Sequence, residues 1–256
     1  MMEQTKRMPV LFVGHGSPLN AMVDTSFSEE WKRMGTLFPK PKAILAISAH
    51  FYARGTYVND AEMPEQIYDM YGFPEELYRI VYRPKGDPLL ADKVAHLLGA
   101  KKDHSFGIDH GVWSVLRRMY PDADVPVVEM SVDGRLSFKE MLQLGEKLKS
   151  LREEGVLILG SGAIVHNLSL VDWDNEKGYP WAGLFQKRVN NALQKHDWDY
   201  LTDIRKDPDS SKAFQSIEHY APLLYVVGAS DEKDPLLILN DEETLGAISM
   251  TSFLLG

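Results

Sequence analysis

The chain has 256 residues, a formal charge of -9, 44% apolar content and no cysteine. The acidic balance argues against a nucleic-acid partner, because such proteins concentrate Lys and Arg to neutralise phosphates. Without Cys, disulfides, thiolate nucleophiles, iron–sulfur clusters and thiolate zinc sites are excluded, so any metal must use His, Asp, Glu or water. No low-complexity stretch or linker divides the sequence, which is expected to form one domain over residues 1–256. The N-terminus lacks a signal peptide's apolar run, and no segment approaches the roughly 20 apolar residues that span a bilayer. A cytoplasmic protein with no membrane partner is the expectation, and the sequence specifies no oligomeric state.

In chain order, Pro9-Val10-Leu11-Phe12-Val13 is a short apolar run that stops at Gly14-His15-Gly16-Ser17-Pro18, the pattern of a buried strand feeding a tight loop. Ser17 is expected to cap or shape that loop, since it lacks the frame of a nucleophile elbow. Residues 27–38 have helical spacing. Ala43 to Ser48 then forms a second buried run that ends at Ala49-His50-Phe51. Residues 60–88, dense in Tyr, Pro and charge, read as a structured functional loop.

Asp109-His110-Gly111 precedes a helical pattern over Val112 to Met119, where a functional histidine and a capping loop are equally good readings. Val125 to Met130 and Val156 to Leu159 are two more buried strands with a helical span, 138–152, between them, which implies a parallel unit. The last runs into Gly160-Ser161-Gly162, a glycine-bearing loop leading to His166. That turn lacks the third glycine and the acidic partner of a dinucleotide fingerprint. Residues 181–196 are helical, 199–212 polar loop with short helix, and 222–227 apolar and buried, with Pro222 suited to a first helical position. The fold class that follows is α/β, a mostly parallel central sheet flanked by helices.

Of eight histidines, His15, His50 and His166 each follow a separate apolar strand, which brings them to the carboxyl edge of one sheet, where open α/β folds bind ligands. Neutral imidazole is a common ligand for zinc and iron. His96, His104 and His196 lie in polar surroundings and read as structural.

Together, Gly14-His15-Gly16-Ser17-Pro18, Ser48-Ala49-His50-Phe51, the run Tyr68-Asp69-Met70-Tyr71-Gly72-Phe73-Pro74, Asp109-His110-Gly111-Val112-Trp113, Gly160-Ser161-Gly162 through His166-Asn167-Leu168, and Glu218-His219-Tyr220-Ala221-Pro222 carry a resemblance. The chain resembles the class III extradiol ring-cleavage dioxygenases, in the branch of the 4,5-DOPA extradiol dioxygenases. The resemblance implies an Fe(II) enzyme that opens the ring of a DOPA-like catechol with O2 to a muconic semialdehyde. It implies that His15 and His50 bind the metal, that His166 is the base and close enough to serve as a further ligand, and that His110 donates a hydrogen bond nearby. The third ligand falls at His219, with Glu218 as the fallback. Other class III enzymes use a carboxylate there, and three neutral imidazoles also suit Zn(II). Tyr68, Tyr71 and Phe73 are candidates to line the ring pocket. A zinc hydrolase built on the same histidines, or a non-catalytic metal-binding relative, are the rival readings. Retention of both His110 and His166 counts against the latter.

Overall fold

Strands covered on both faces have near-continuous apolar sequences, and the four apolar runs become the centre of one sheet. In this computed structural model, which describes residues 7–256, the order is β1 (Val10–Gly14), α1 (Ser26–Met34), β2 (Ala43–Ala53), β3 (Tyr57–Asn59), α2 (Pro88–Leu98), β4 (Lys101–Asp103), α3 (His110–Met119), β5 (Val127–Asp133), α4 (Phe138–Leu148) and β6 (Val156–Gly162). There follow α5 (Pro180–Lys195), the short α6 (Trp198–Thr202) and α7 (Ser210–Ala213), α8 (Ala221–Gly228), β7 (Leu236–Leu239), β8 (Glu243–Thr244), β9 (Ile248–Ser249) and β10 (Ser252–Leu255). The expected absence of a signal peptide concerns N-terminal residues that lie largely outside the described ones. Among the described residues no helix is long and apolar enough to cross a membrane.

The eight-stranded sheet has the order β4-β3-β5-β2-β6-β1-β10-β7. β5, β2, β6 and β1 run parallel, while β10 and β7 close one side antiparallel and β3 meets β5 antiparallel on the other. Successive strand residues point to opposite faces, so each strand feeds two cores. Phe12, Leu45, Val128 and Ile158 pack with α4 and α8 through Met141, Leu148, Leu223 and Val226. Leu11, Ile44, Val127 and Leu159 pack with α1 and α3 through Trp31, Met34, Val112 and Leu116. Capping boxes fix the starts of α1 (Thr25 with Ser28) and α4 (Ser137 with Glu140).

Several elements depart from the sequence pattern. Gly160-Ser161-Gly162 is not a loop but the end of β6. Residues 222–227 are buried as expected and lie in α8, with Pro222 in its first turn. The helical span 138–152 is α4 followed by a 3-10 turn over Lys149–Glu154. β4, Lys101-Lys102-Asp103, has no apolar residue to betray it, and β3, β7 and β10 are too short for alternation to be distinctive. The 60–88 loop is ordered by pairing of Gln66 with Ile108 and a 3-10 turn at Glu75–Arg79.

Candidate active site

The sheet register explains how residues distant in sequence come together. Ser161 of β6 is level with Val13 of β1 on one side and Ser48 of β2 on the other. His15 and His50 therefore each stand two residues beyond one row across the sheet. β2 carries an irregularity between Ser48 and Tyr52, of the kind that re-aims a side chain at a strand end. His50 sits in it.

His219 reaches the same place from the turn before α8. Ala163 N–H donates to the His219 carbonyl at 2.8 Å. A Cβ on Gly162 would lie 2.2 Å from that oxygen, so the glycine is what lets the His219 backbone ride over the strand end. His110 is the first residue of α3, whose cap is Asp109: its carboxylate accepts from Val112 N at 3.2 Å. His166 is held by its own N–H to Ala213 O at 2.7 Å. Ser17 caps the 3-10 turn Pro18–Ala21, as expected.

The five imidazoles form one cluster. Ring centroids of His15, His50 and His219 are 5.1, 5.2 and 5.2 Å apart, a near-equilateral triangle. His110 lies 4.1 Å from His50 and 5.7 Å from His15. His166 stacks on His219 at 3.5 Å. Nitrogens of His15, His50 and His110 fall within 4.8 Å of one another, as do ligand atoms of His166, Glu218 and His219.

Each triangle histidine has an oxygen behind its Nδ1. Ser161 Oγ donates its one proton to Gly111 O at 2.6 Å, so toward His15 Nδ1, at 2.9 Å, it must accept. Asp69 Oδ2 lies 3.1 Å from His50 Nδ1, and Glu218 Oε1 3.4 Å from His219 Nδ1. With Nδ1–H assigned in this way, the Nε2 lone pairs of His15 and His50 face one another at 3.3 Å. Two lone pairs in that position require a cation between them, a proton in the bare protein or a metal ion in the loaded one. His219 Nε2 is likewise buried, with no hydrogen-bond partner among the described residues. The donor set thus fits a divalent metal held by neutral imidazole, with oriented outer-shell oxygens.

Burial and the neighbouring histidines hold His15 far below the ordinary histidine range, and do the same to His219. His166 is pushed down to about 4, first by burial and then by His50. His50 is the exception. Burial pulls it down, but the hydrogen bond to Asp69 and the charges of Asp109, Asp69 and Glu218 carry it above its usual value. Asp69 is disfavoured by burial, yet His110 and His50 hold it well below the ordinary carboxylate range.

Asp69 is the residue that pattern reading missed. Its Oδ1 accepts from His110 N at 2.9 Å and lies 3.0 Å from His110 Nδ1, while Oδ2 serves His50. The only sequence signal was a carboxylate inside an aromatic run. The pocket candidates around it have other partners. Tyr68 gives its hydroxyl to Ile80 O and its ring to Tyr78 and Trp113, Tyr71 is 91% exposed, and Phe73 packs on the α1 and α3 core. His104 pairs with Asp60 at 2.7 Å, His196 closes α5 with φ 53°, and His96 lies in the last turn of α2.

Comparison with known proteins gives concordant relatives. Residues 10–249 match the family described as the catalytic LigB subunit of aromatic ring-opening dioxygenase. A 4,5-DOPA dioxygenase extradiol of Escherichia coli K12 is 38% identical, covering 98% of this chain and 95% of the relative. One from Beta vulgaris is 34% identical over 94% of each. A solved structure of an uncharacterised Escherichia coli K12 protein superposes with a TM-score of 0.86 at 36% identity, covering 98% of this chain and 100% of that one.

Proposed function

The chain belongs to the family of catalytic LigB subunits of aromatic ring-opening dioxygenases, and on that premise we propose that it is an extradiol dioxygenase opening the ring of a DOPA-like catechol beside its vicinal hydroxyls. Both atoms of O2 enter the product, a muconic semialdehyde. The observation that carries this reading is the triangle of His15, His50 and His219, the first and last buried and His50 half-buried, whose Nδ1 atoms are each backed by an oxygen and whose Nε2 atoms are free to turn to a metal.

Those three residues would hold the ion. Fe(II) bound there would offer the catechol oxygens a chelating point, lower their proton affinity and relay to oxygen the electrons that the catechol itself gives up. His166, neutral at ordinary pH because burial drives its protonated form out, accepts a proton from a catechol hydroxyl. His110 turns Nδ1 toward Asp69, which leaves its Nε2 as the nitrogen available to an oxygen-derived anion. His110 takes this role rather than a ligand's because its distances to His15 and His50 are unequal, 5.7 and 4.1 Å, whereas His219 completes an even triangle. Glu218, behind His219 and hydrogen-bonded by Ser216 Oγ at 2.7 Å, orients the ligand rather than replacing it. The catechol and O2 are the partners, and the protein acts as a cytoplasmic enzyme.

The test is product analysis after reaction of the Fe(II)-loaded protein with DOPA under isotopically labelled oxygen. A ring-opened semialdehyde carrying two label atoms is expected. Unreacted catechol, or a quinone without label, would overturn the proposal.

A further inference from the structure

One buried acid has no part in this chemistry. Glu129 lies on β5, on the sheet face that packs against α3, and is 1% exposed. Beside it is Asp109, 0% exposed, whose backbone N–H donates to Glu129 Oε2 at 3.3 Å. Asp109 Oδ1 is occupied in capping α3. The remaining oxygens, Glu129 Oε1 and Asp109 Oδ2, are buried and have no other partner among the described residues, although the two carboxyl groups are in side-chain contact.

Two ionised carboxylates at such a place would each forgo hydration and repel one another, whereas one proton between them satisfies both orphaned oxygens. Burial and then Asp109 push Glu129 well above the ordinary carboxylate range, so it is the member that keeps the proton. Asp109 is then the acceptor, with Oδ1 at the α3 cap and Oδ2 toward Glu129.

The turn so held abuts the histidine cluster. Asp109 precedes His110. Gly111 gives its carbonyl to Ser161, which orients His15, and a Cβ there would stand 3.1 Å from His15 Nδ1 and from His50 Cδ2. A small shift of this turn moves His110 and presses on both rings.

We propose that Glu129 is a positioning residue: as a neutral acid it donates to Asp109 Oδ2 and locks the turn that presents His110 and Gly111 to the histidine cluster. The proposal rests on the ring-opening reading for its kinetic consequence, but not for the hydrogen bond itself. Infrared spectroscopy of the full-length protein near neutral pH reads the bond. A carbonyl stretch of a protonated acid is expected in the wild type and lost in Glu129→Gln. Its absence from the wild type overturns the proposal whether or not the protein opens rings.

Kinetics then read the positioning. Glu129→Gln, which can still donate to Asp109 and accept from its N–H, should keep most of the turnover. Glu129→Leu should lower kcat about 10- to 100-fold, the usual effect of losing an outer-shell partner, with KM little changed. Equal losses in Gln and Leu would mean that charge, not donation, matters, and would overturn the proposal. So would full turnover in a folded Leu variant. If no catechol reacts with any variant while the infrared band is present, it is the ring-opening reading that fails.

Discussion

The ring of His166 lies flat on that of His219, with planes 6° from parallel and centroids 3.5 Å apart. On the proposed ligand set, a ring stacked on the face of His219 is placed to meet what the metal holds. His166→Ala is therefore expected to retain metal while losing about 10² to 10⁴ in turnover, the range for removal of a general base. Metal analysis beside kcat checks this, and joint loss of both would make His166 a ligand.

The neighbouring pair Glu218 and His219 should separate in the opposite sense. His219→Ala removes a corner of the triangle and should abolish stoichiometric metal binding, whereas Glu218→Gln, which still offers an oxygen to His219 Nδ1, should weaken it only modestly. Titration with Zn(II) or Fe(II) measures both. The reverse order would return the third ligand to the carboxylate.

Asp69 uses two oxygens for two histidines, and an amide has one. Asp69→Asn cannot accept at both His50 and His110, so metal affinity or turnover should fall about 10- to 100-fold. Ser161→Ala, which frees His15 Nδ1, is expected to act in the same range. Wild-type affinity and turnover in both would show that the outer oxygens do not orient the triangle.

Glu129 predicts a pH effect of definite sign. Facing it are Asp109 and Asp69, both acidic, and its folded form keeps a proton that the unfolded chain releases near the usual 4.5. Below that pH both states hold the proton and nothing is lost. Above it the folded state binds more protons than the unfolded one, so each further pH unit costs the wild type about 1.4 kcal/mol until the folded group ionises. Glu129→Gln has no such cost. Its stability relative to wild type, from denaturant melts between about pH 5 and about pH 8, should improve as pH rises. A constant difference would contradict a neutral Glu129.

Much of the site was legible before the fold. The runs ending at Gly14 and Ser48 marked His15 and His50 because fully buried parallel strands leave an apolar signature and their carboxyl ends share one edge. His166 was marked in the same way, beyond the strand over Val156 to Leu159, whereas His219 came from motif order rather than periodicity. Asp69, by contrast, acts only through a loop folded back against α3. Glu129 reads as one polar residue inside Val125 to Met130, and nothing local tells that Asp109 stands opposite. Gly160 and Gly162 looked like loop glycines, yet they sit in a strand and make room for Pro222 and His219. Tertiary approach decided each of these, and single-sequence patterns do not carry it.

The measurement that bears most directly on the central claim compares one protein preparation loaded with Fe(II) or with Zn(II) and mixed with DOPA and simpler catechols. Zinc can occupy the same imidazoles but has no redox chemistry. The Fe(II) form is expected to consume one O2 per catechol as the absorbance of a ring-opened semialdehyde rises, and the Zn(II) form to consume none. A fully loaded Fe(II) protein that takes up no oxygen across the panel, or a Zn(II) form that reacts equally well, would contradict that claim.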